Sequence, residues 1–251
     1  MWNYAGVSDN GIYEPKNDDR ILCGTEFTGY GTIQGQTENY YISAVFDGVG
    51  GMQDGFRAAQ ISAEFLSQYN QSGLNRKDIR LMLENVNQAV INAQNDFGLP
   101  NGMRTTVAGI YADSGKLFVF NAGDSRVYRF RENRLEQLSK DHSLVQDLLD
   151  SGQITQEEAM HHPKKNVIFK CIGHEEVLCP RIIESDFQNN DILMLCSDGI
   201  SDVMTRNQLE QILRCHQKNL FRACMILKET AIQLDSSDNM SVILIQKKDG
   251  E

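Results

Sequence analysis

Apolar residues in this chain follow two rhythms. Short, nearly continuous runs read as buried strands: Tyr40-Tyr-Ile-Ser-Ala-Val-Phe46, Asp191-Ile-Leu-Met-Leu-Cys196 and Met240-Ser-Val-Ile-Leu-Ile245. They are too short for helices and rich in β-branched or aliphatic side chains. Residues 105–111 and 116–121 flank Ala112-Asp-Ser-Gly115, a hairpin signal, and residues 126–130 and 134–138 flank Arg131-Glu-Asn133, continuing a meander. Elsewhere the spacing is helical. Ala58, Ile61, Phe65, Leu66 and Tyr69, then Ile79, Met82, Leu83, Val86, Val90, Ala93 and Phe97, predict an antiparallel helix pair over 54–97, broken near Ser72-Gly73. A second helical block covers 207–234, with Leu209, Ile212, Leu213, Cys224, Leu227 and Ala231 as core positions. Leu144, Val145, Leu148 and Leu149 mark a short helix that Gly152 stops, and Thr155-x-x-Glu158 has the form of a capping box. Helix pairs separated by antiparallel strand blocks imply helices layered on sheets.

Composition narrows the function classes. The 251 residues include 24 Lys+Arg against 34 Asp+Glu, a formal net charge of −10, with 41% hydrophobic residues and only 4 prolines. A chain of this kind folds around its own core, and without a linker, long charge run or repeat, one domain over 1–251 is expected. The acidic balance argues against nucleic acid and anionic membranes as partners. No apolar run approaches the ~18 residues of a membrane span. The first ten residues lack the basic start and apolar core of a signal peptide. Six cysteines without a Cys-x-x-Cys pair are expected to be reduced thiols, consistent with the cytoplasm.

Acidic residues recur where apolar strands stop. Asp47 ends the run at Phe46 and precedes Gly48-Val-Gly-Gly51; Asp198 follows residues 192–197; Asp238 precedes the run at Met240; Asp124 sits in Asn121-Ala-Gly-Asp-Ser-Arg126; Asp18 and Asp19 precede Arg20-Ile-Leu-Cys23. Any one of these is an ordinary turn former. Five recurrences at strand ends can converge on one cleft, where carboxylates stay ionised only if a cation compensates them. Oxygen ligands without His or Cys select Mg²⁺ or Mn²⁺ over zinc. Two such ions acidify a water and clamp a phosphoryl group. His161-His162 lacks partners at zinc-site spacing and reads as an exposed loop pair.

These blocks resemble the metal-dependent Ser/Thr protein phosphatases of type 2C in their compact bacterial form. Val45-Phe-Asp-Gly-Val-Gly-Gly51, Arg104-Thr-Thr-Val-Ala108, Asn121-Ala-Gly-Asp-Ser-Arg-Val-Tyr128, Leu138-Ser-Lys-Asp-His-Ser-Leu-Val145, residues 191–203 and Ser237-Asp-Asn-Met-Ser-Val242 run in family order, with Asn17-Asp-Asp19 where the family has Asn-Glu-Asp. The resemblance implies an α+β fold: a four-layer α-β-β-α sandwich of two antiparallel sheets flanked by helix pairs. It implies that Asp47 bridges two metals while Gly48 offers its carbonyl, and that Asp198 and Asp238 hold one ion. Asp19 and Asp18 would act directly or through water. Asp124 with Asp198 would form a looser third site, and residues 147–176 a flap beside the cleft. The implied activity is hydrolysis of phosphoserine and phosphothreonine in proteins by a metal-bridging hydroxide with two Mn²⁺ or Mg²⁺ ions. The implied partners are phosphorylated proteins, including a cognate Ser/Thr kinase that the enzyme opposes, and a monomer is expected.

Three departures stand out. The family's phosphate-binding Arg, five residues before the position of Asp19, is replaced by Glu14, so Lys16 or metal-bound waters alone would hold the phosphate. Val49 stands where eukaryotic members carry a His. Asp18 is one methylene shorter than the usual Glu. Two rivals remain: a non-catalytic module on the same fold, and a two-metal nuclease, which clashes with the −10 charge. With two divalent cations bound, the formal charge becomes −10 + 4 = −6, and the sign inside the cleft can reverse.

Overall fold

The computed structural model describes residues 1–247 apart from 39, 40, 51, 53, 70, 100, 101, 114 and 175 and the side chains of residues 156 and 160; Tyr40, Gly51 and Ser114 of the sequence patterns lie outside the described residues. The elements in chain order are β1 (Trp2–Asp9), β2 (Arg20–Cys23), β3 (Glu26–Thr28), β4 (Gly31–Thr37), β5 (Tyr41–Phe46), α1 (Gly55–Ser67), α2 (Arg76–Phe97), β6 (Val107–Asp113), β7 (Lys116–Ala122), β8 (Arg126–Arg131) and β9 (Arg134–Gln137). They continue with α3 (Leu144–Asp150), α4 (Gln156–Met160), β10 (Arg181–Ser185), β11 (Ile192–Cys196), α5 (Asp198–Ser201), α6 (Arg206–His216), α7 (Leu220–Gln233) and β12 (Met240–Lys247).

Two six-stranded sheets form, ordered β4-β1-β12-β11-β8-β9 and β10-β7-β6-β5-β2-β3. Side-chain alternation explains their stacking. In β11, Ile192, Met194 and Cys196 point to a core shared with Leu209, Leu213 and Leu227 of α6 and α7, while Leu193 and Leu195 enter a second core between the sheets. In β5, Ile42, Ala44 and Phe46 face α1 and α2, and Tyr41 and Val45 face the other sheet. Both of these strands are therefore buried on both faces, so they read as unbroken apolar runs rather than alternating ones. The outcome is the four-layer α-β-β-α sandwich.

The helices start and stop where local chemistry dictates. Asn75 and Asp78 form a capping box for α2, and Gly98 closes it in the left-handed conformation (φ 61°, ψ 43°). Thr155 and Glu158 cap α4 as their spacing predicts, and Thr205 with Gln208 does the same for α6. The helical block over 207–234 resolves into two helices, and Phe97, which continues the apolar spacing of α2, is exposed and lies under the Arg57 guanidinium. Four strands have no clear pattern beforehand: β1, β3, β4 and β10. The first of these is central in its sheet, pairing with β12 on one side and β4 on the other. Its sequence, WNYAGVSD, mixes polar and apolar positions: Asn3 and Asp9 are half-buried near its ends, and Ser8 is buried against Ser241.

Candidate metal centre and active-site cleft

Antiparallel register brings the acidic turns to one edge of the sandwich. In one sheet, Arg20 pairs with Phe46, Val45 with Ala108 and Val107 with Ala122, aligning the turns at Asp19, Asp47 and Asp124. In the other, Cys196 pairs with both Arg126 and Val242, placing Asp198 and Asp238 at that edge. A cleft of about 270 Å³ opens there, lined by Asp18, Asp47, Gly48, Asp124, Asp198 and Asp238. Of the expected site residues only Asp19 is not on its wall. It is buried, and Ser197 Oγ donates to its Oδ2 at 2.8 Å.

The turns are held stiffly. The Asp47 carbonyl accepts from Thr106 N (2.8 Å) and Thr105 Oγ1 (2.8 Å), and its own N–H donates to Thr106 Oγ1 (3.1 Å). That is the structural task of the Arg104-Thr-Thr block. Gly48 sits where a Cβ would lie 2.6 Å from the Gly55 carbonyl carbon and 2.8 Å from the Asp18 carbonyl oxygen, so only glycine lets these loops touch. Gly199 is tighter still, with the Asn239 carbonyl oxygen 2.0 Å from the same hypothetical atom. Asn239 ties the rim together: its Oδ1 accepts from Asp18 N (2.7 Å) and its Nδ2 donates to Lys16 O (3.1 Å). His142 N donates to Gly123 O at 2.9 Å, so the Lys-Asp-His-Ser block supports the Asp124 turn.

Crowding of like charge shapes the electrostatics. Burial, then repulsion from Asp238 and Asp18, pushes Asp19 up to about 7 despite hydrogen bonds from Ser241 and Ser197. Asp124 is likewise raised to about 7 by burial and by Asp141 and Asp202. Burial, with Asp19, Asp198, Asp238 and Asp124 around it, holds Asp47 well above the usual carboxylate range. Asp198 is raised in the same way, with Asp124, Asp238 and Asp202 as its neighbours. At the mouth, partial burial raises Asp238 against the Asn239 N–H that donates to it at 2.7 Å.

The donors fit a hard divalent cation. They are all oxygens, and Asp198 Oδ1 is buried without a hydrogen-bond partner. Asp18 Oδ1 also accepts no hydrogen bond and lies 3.1 Å from the Lys16 ammonium. Among the described residues no group of three or more His, Cys, Asp or Glu side chains is drawn together as a ready-made cage. Mutual repulsion of the carboxylates favours such spacing, and a cation would supply the attraction that closes it. The pair His161-His162 lies on a loop, the first exposed and the second half-buried.

Residue spacing alone assigned no role to several groups that act here. Ser197, Thr105, Thr106 and Asn239 sit inside the quoted blocks, next to the acidic residues they support. Asp202 also lies in such a block, but its partner Lys165 belongs to no pattern. Lys165 Nζ reaches Asp202 Oδ2 at 2.7 Å across 37 residues.

Comparison with known proteins agrees with this architecture. A family model described as "Protein phosphatase 2C" matches residues 29–230. "Serine/threonine phosphatase stp" of Listeria welshimeri is 33% identical over 218 residues, covering 84% of this chain and 86% of that protein. "Serine/threonine protein phosphatase PstP" of Mycobacterium tuberculosis is 28% identical over 248 residues, 96% of this chain but 44% of that longer protein. The crystal structure of the M. tuberculosis phosphatase PstP/Ppp superposes with a TM-score of 0.85 at 26% identity, covering 99% of both chains. A PstP catalytic domain with two manganese ions gives 0.82 at 25% identity, over 99% of this chain and 100% of that one. With four-fifths of its length matched by one model and the same two-sheet sandwich in its structural relatives, this chain belongs to the protein phosphatase 2C family.

Proposed function

We propose that this chain removes phosphate from phosphoserine and phosphothreonine in proteins, with Asp47, Gly48, Asp198 and Asp238 as the metal-holding core, Asp19 and Asp18 supporting it, and Asp124 with Asp198 at a looser site. The family makes it a metal-dependent protein phosphatase that uses Mn²⁺ or Mg²⁺. One observation carries the residue assignment: carboxylates from separate turns meet in one cleft, and one buried oxygen among them, Asp198 Oδ1, has no protein partner. Two bound cations would acidify an attacking water and offset charge developing on phosphorus.

The chain's own residues do the rest. Thr105 and Thr106 fix the Asp47 backbone. The Gly48 carbonyl can face the cleft because no side chain separates its loop from Gly55 and Asp18. Ser197 holds Asp19 in one rotamer, limiting the loss of order when the carboxylates gather. Phosphate binding departs from the family habit. Glu14 lines the cleft, and Lys16 is exposed and drawn to Asp18, which supports phosphate being held by the metal centre itself. The partners are phosphorylated proteins, a cognate Ser/Thr kinase among them, and the chain acts as a single-domain monomer. Among the described residues no helix is long and apolar enough to cross a membrane.

The test is hydrolysis of a phosphothreonine peptide with Mn²⁺, with and without chelator, beside Asp198→Asn. Metal-dependent turnover that chelator abolishes and the variant lacks is the expected result. A wild type that binds Mn²⁺ but leaves the peptide intact would make the chain a binding module on a phosphatase fold.

A further inference from the structure

Residues 104–106 run along the mouth of the cleft. Thr105 bridges to Gly48 on one side and to Ile172, at the base of the flap, on the other. The Arg104 carbonyl accepts from Val49 N at 3.0 Å. Side chains alternate along such an extended stretch. Met103 and Val107 enter the core shared with α1 and α2, whereas Ala108 lies between the sheets and Thr106 lines the cleft. Arg104 has the parity of Thr106 and Ala108, so its side chain falls on the face that opens into the cleft. It stands one step outside Thr106, between two pieces of the cleft wall: Val49 and Gly50 from one loop, Ile168 from the flap.

Arg104 carries its charge without a partner. Arg57, Arg126, Arg129 and Arg131 each meet a carboxylate. Among the described residues no ion pair includes Arg104. The residue is only partly exposed, and its Nε is buried with no hydrogen-bond partner. A buried N–H left in that state costs the fold free energy and calls for an explanation. Farther along the rim the sign is opposite. Glu14, exposed on the β1–β2 connection, lines the cleft with Asp18. The Asp18 and Gly48 loops touch, so the rim carries a carboxylate on one side of that contact and a guanidinium on the other.

We propose that Arg104 is a specificity-determining residue: its guanidinium binds an acidic side chain that flanks the phosphorylated residue of the substrate, while Glu14 repels acid on the opposite flank. This rests on the phosphatase reading given above and deepens it by naming the sequence class of substrate. Thr106, not Arg104, forms the wall beside Asp47. The group that Arg104 meets is therefore on the polypeptide and not the reacting phosphate. A guanidinium–carboxylate pair is directional as well as charged, so this contact fixes which way the polypeptide crosses the cleft. Repulsion at Glu14 adds discrimination against the reverse orientation.

The experiment compares kcat/KM of the full chain with Mn²⁺ on phosphothreonine peptides carrying Glu, Ala or Lys before or after the phosphorylated residue. p-Nitrophenyl phosphate serves as a substrate without flanks. Wild type should prefer Glu over Lys by about tenfold on one flank only. Arg104→Gln should erase that preference and leave p-nitrophenyl phosphate turnover unchanged. Arg104→Glu should invert it in favour of Lys, and Arg104→Lys should keep part of it. The same order should appear in peptide affinities measured by fluorescence anisotropy on Asp198→Asn, which binds without turnover. A merely structural arginine would lower all substrates together. No flank preference in wild type, or an intact Glu preference in Arg104→Glu, overturns the proposal alone. So does an equal loss of peptide and p-nitrophenyl phosphate turnover in Arg104→Gln, the mark of an arginine that holds the reacting phosphate or the fold. A wild type that binds Mn²⁺ but hydrolyses no peptide overturns it together with the phosphatase reading.

Discussion

At the floor of the cleft, Asp47 is fixed by hydrogen bonds to Thr105 and Thr106, and Gly48 and Gly199 are pressed against neighbouring backbone. In the flap above it, α3 buries Val145, Val167 and Phe169 are exposed at 41% and 42%, and among the described residues the tip is tied by the partly exposed Lys165–Asp202 ion pair. The two regions face the same cavity edge but are stabilised differently. The floor draws on packing and on backbone hydrogen bonds, which leave the acidic side chains free. The flap depends on few contacts of either kind, so charge has leverage over it. Ligands that must meet a cation within tenths of an ångström belong on the first kind of support, and a cover that must admit substrate belongs on the second.

The largest expected effect comes from the floor. Asp47→Asn should lower phosphopeptide turnover by about a thousandfold or more, the scale of losing a central electrostatic contributor to the reaction. The same change should stabilise the chelator-treated protein, because it removes a charge from a group of mutually repelling carboxylates. Turnover and urea midpoint, measured on the same preparation, check both. A stability loss in chelator would mean that Asp47 supports the fold rather than burdening it.

Metal removal sharpens the contrast through pH. Burial and neighbouring carboxylates push Asp19 and Asp124 up to about 7 in the folded protein, from an ordinary aspartate value of 3.8. The folded, metal-free state therefore holds more protons than the unfolded chain between roughly pH 4 and 7, so its stability falls as pH rises through that window. Asp47 and Asp198, also raised, act in the same direction. Unfolding free energies from denaturant titrations in chelator should decline from pH 5 to 8 by an amount on the order of a few kcal/mol, and saturating Mn²⁺ should flatten or invert the trend. A flat profile in chelator would show that the carboxylates are not crowded as the geometry indicates.

Packing gives the next effect. Gly199→Ala places a methyl group 2.0 Å from the Asn239 carbonyl oxygen, and backbone must move to accept it. The cost should be about 1–3 kcal/mol, read as a lower melting temperature. Gly152, which follows α3 in the flap, has no atom within 4 Å of such a methyl, so Gly152→Ala has only its left-handed φ of +68° to contend with.

How much of this was legible beforehand divides along the same line. Strand ends and acidic turns were readable because burial on both faces leaves an unbroken apolar run, and an aspartate at its end is conspicuous. Asp47, Asp198, Asp238 and Asp124 stood out in this way. The strand β1 did not, since its polar positions Asn3 and Ser8 break the run; Ser8 Oγ instead meets Ser241 Oγ at 2.8 Å in a buried contact across the sheet. Lys165 was invisible for a further reason. A lysine in a polar stretch between His161-His162 and Val167 has no local signature, and its meaning depends on Asp202, 37 residues away.

The smallest effect concerns the other lysine near the cleft. Lys16 lies on the loop before Asp18, follows the Glu14 that replaces the family's arginine, and is the nearest candidate by sequence for holding phosphate. Yet its side chain is 61% exposed, it contacts Asp18 at 3.1 Å, and it is not among the residues lining the cleft. An exposed ion pair of this kind is worth about 0–1 kcal/mol. Lys16→Ala should therefore leave kcat unchanged and shift KM for a phosphothreonine peptide by no more than about twofold, matching that small energy. A tenfold rise in KM would restore Lys16 as the phosphate ligand. It would also mean that the loop carrying it moves on substrate binding, placing this part of the rim with the flap rather than with the rigid floor.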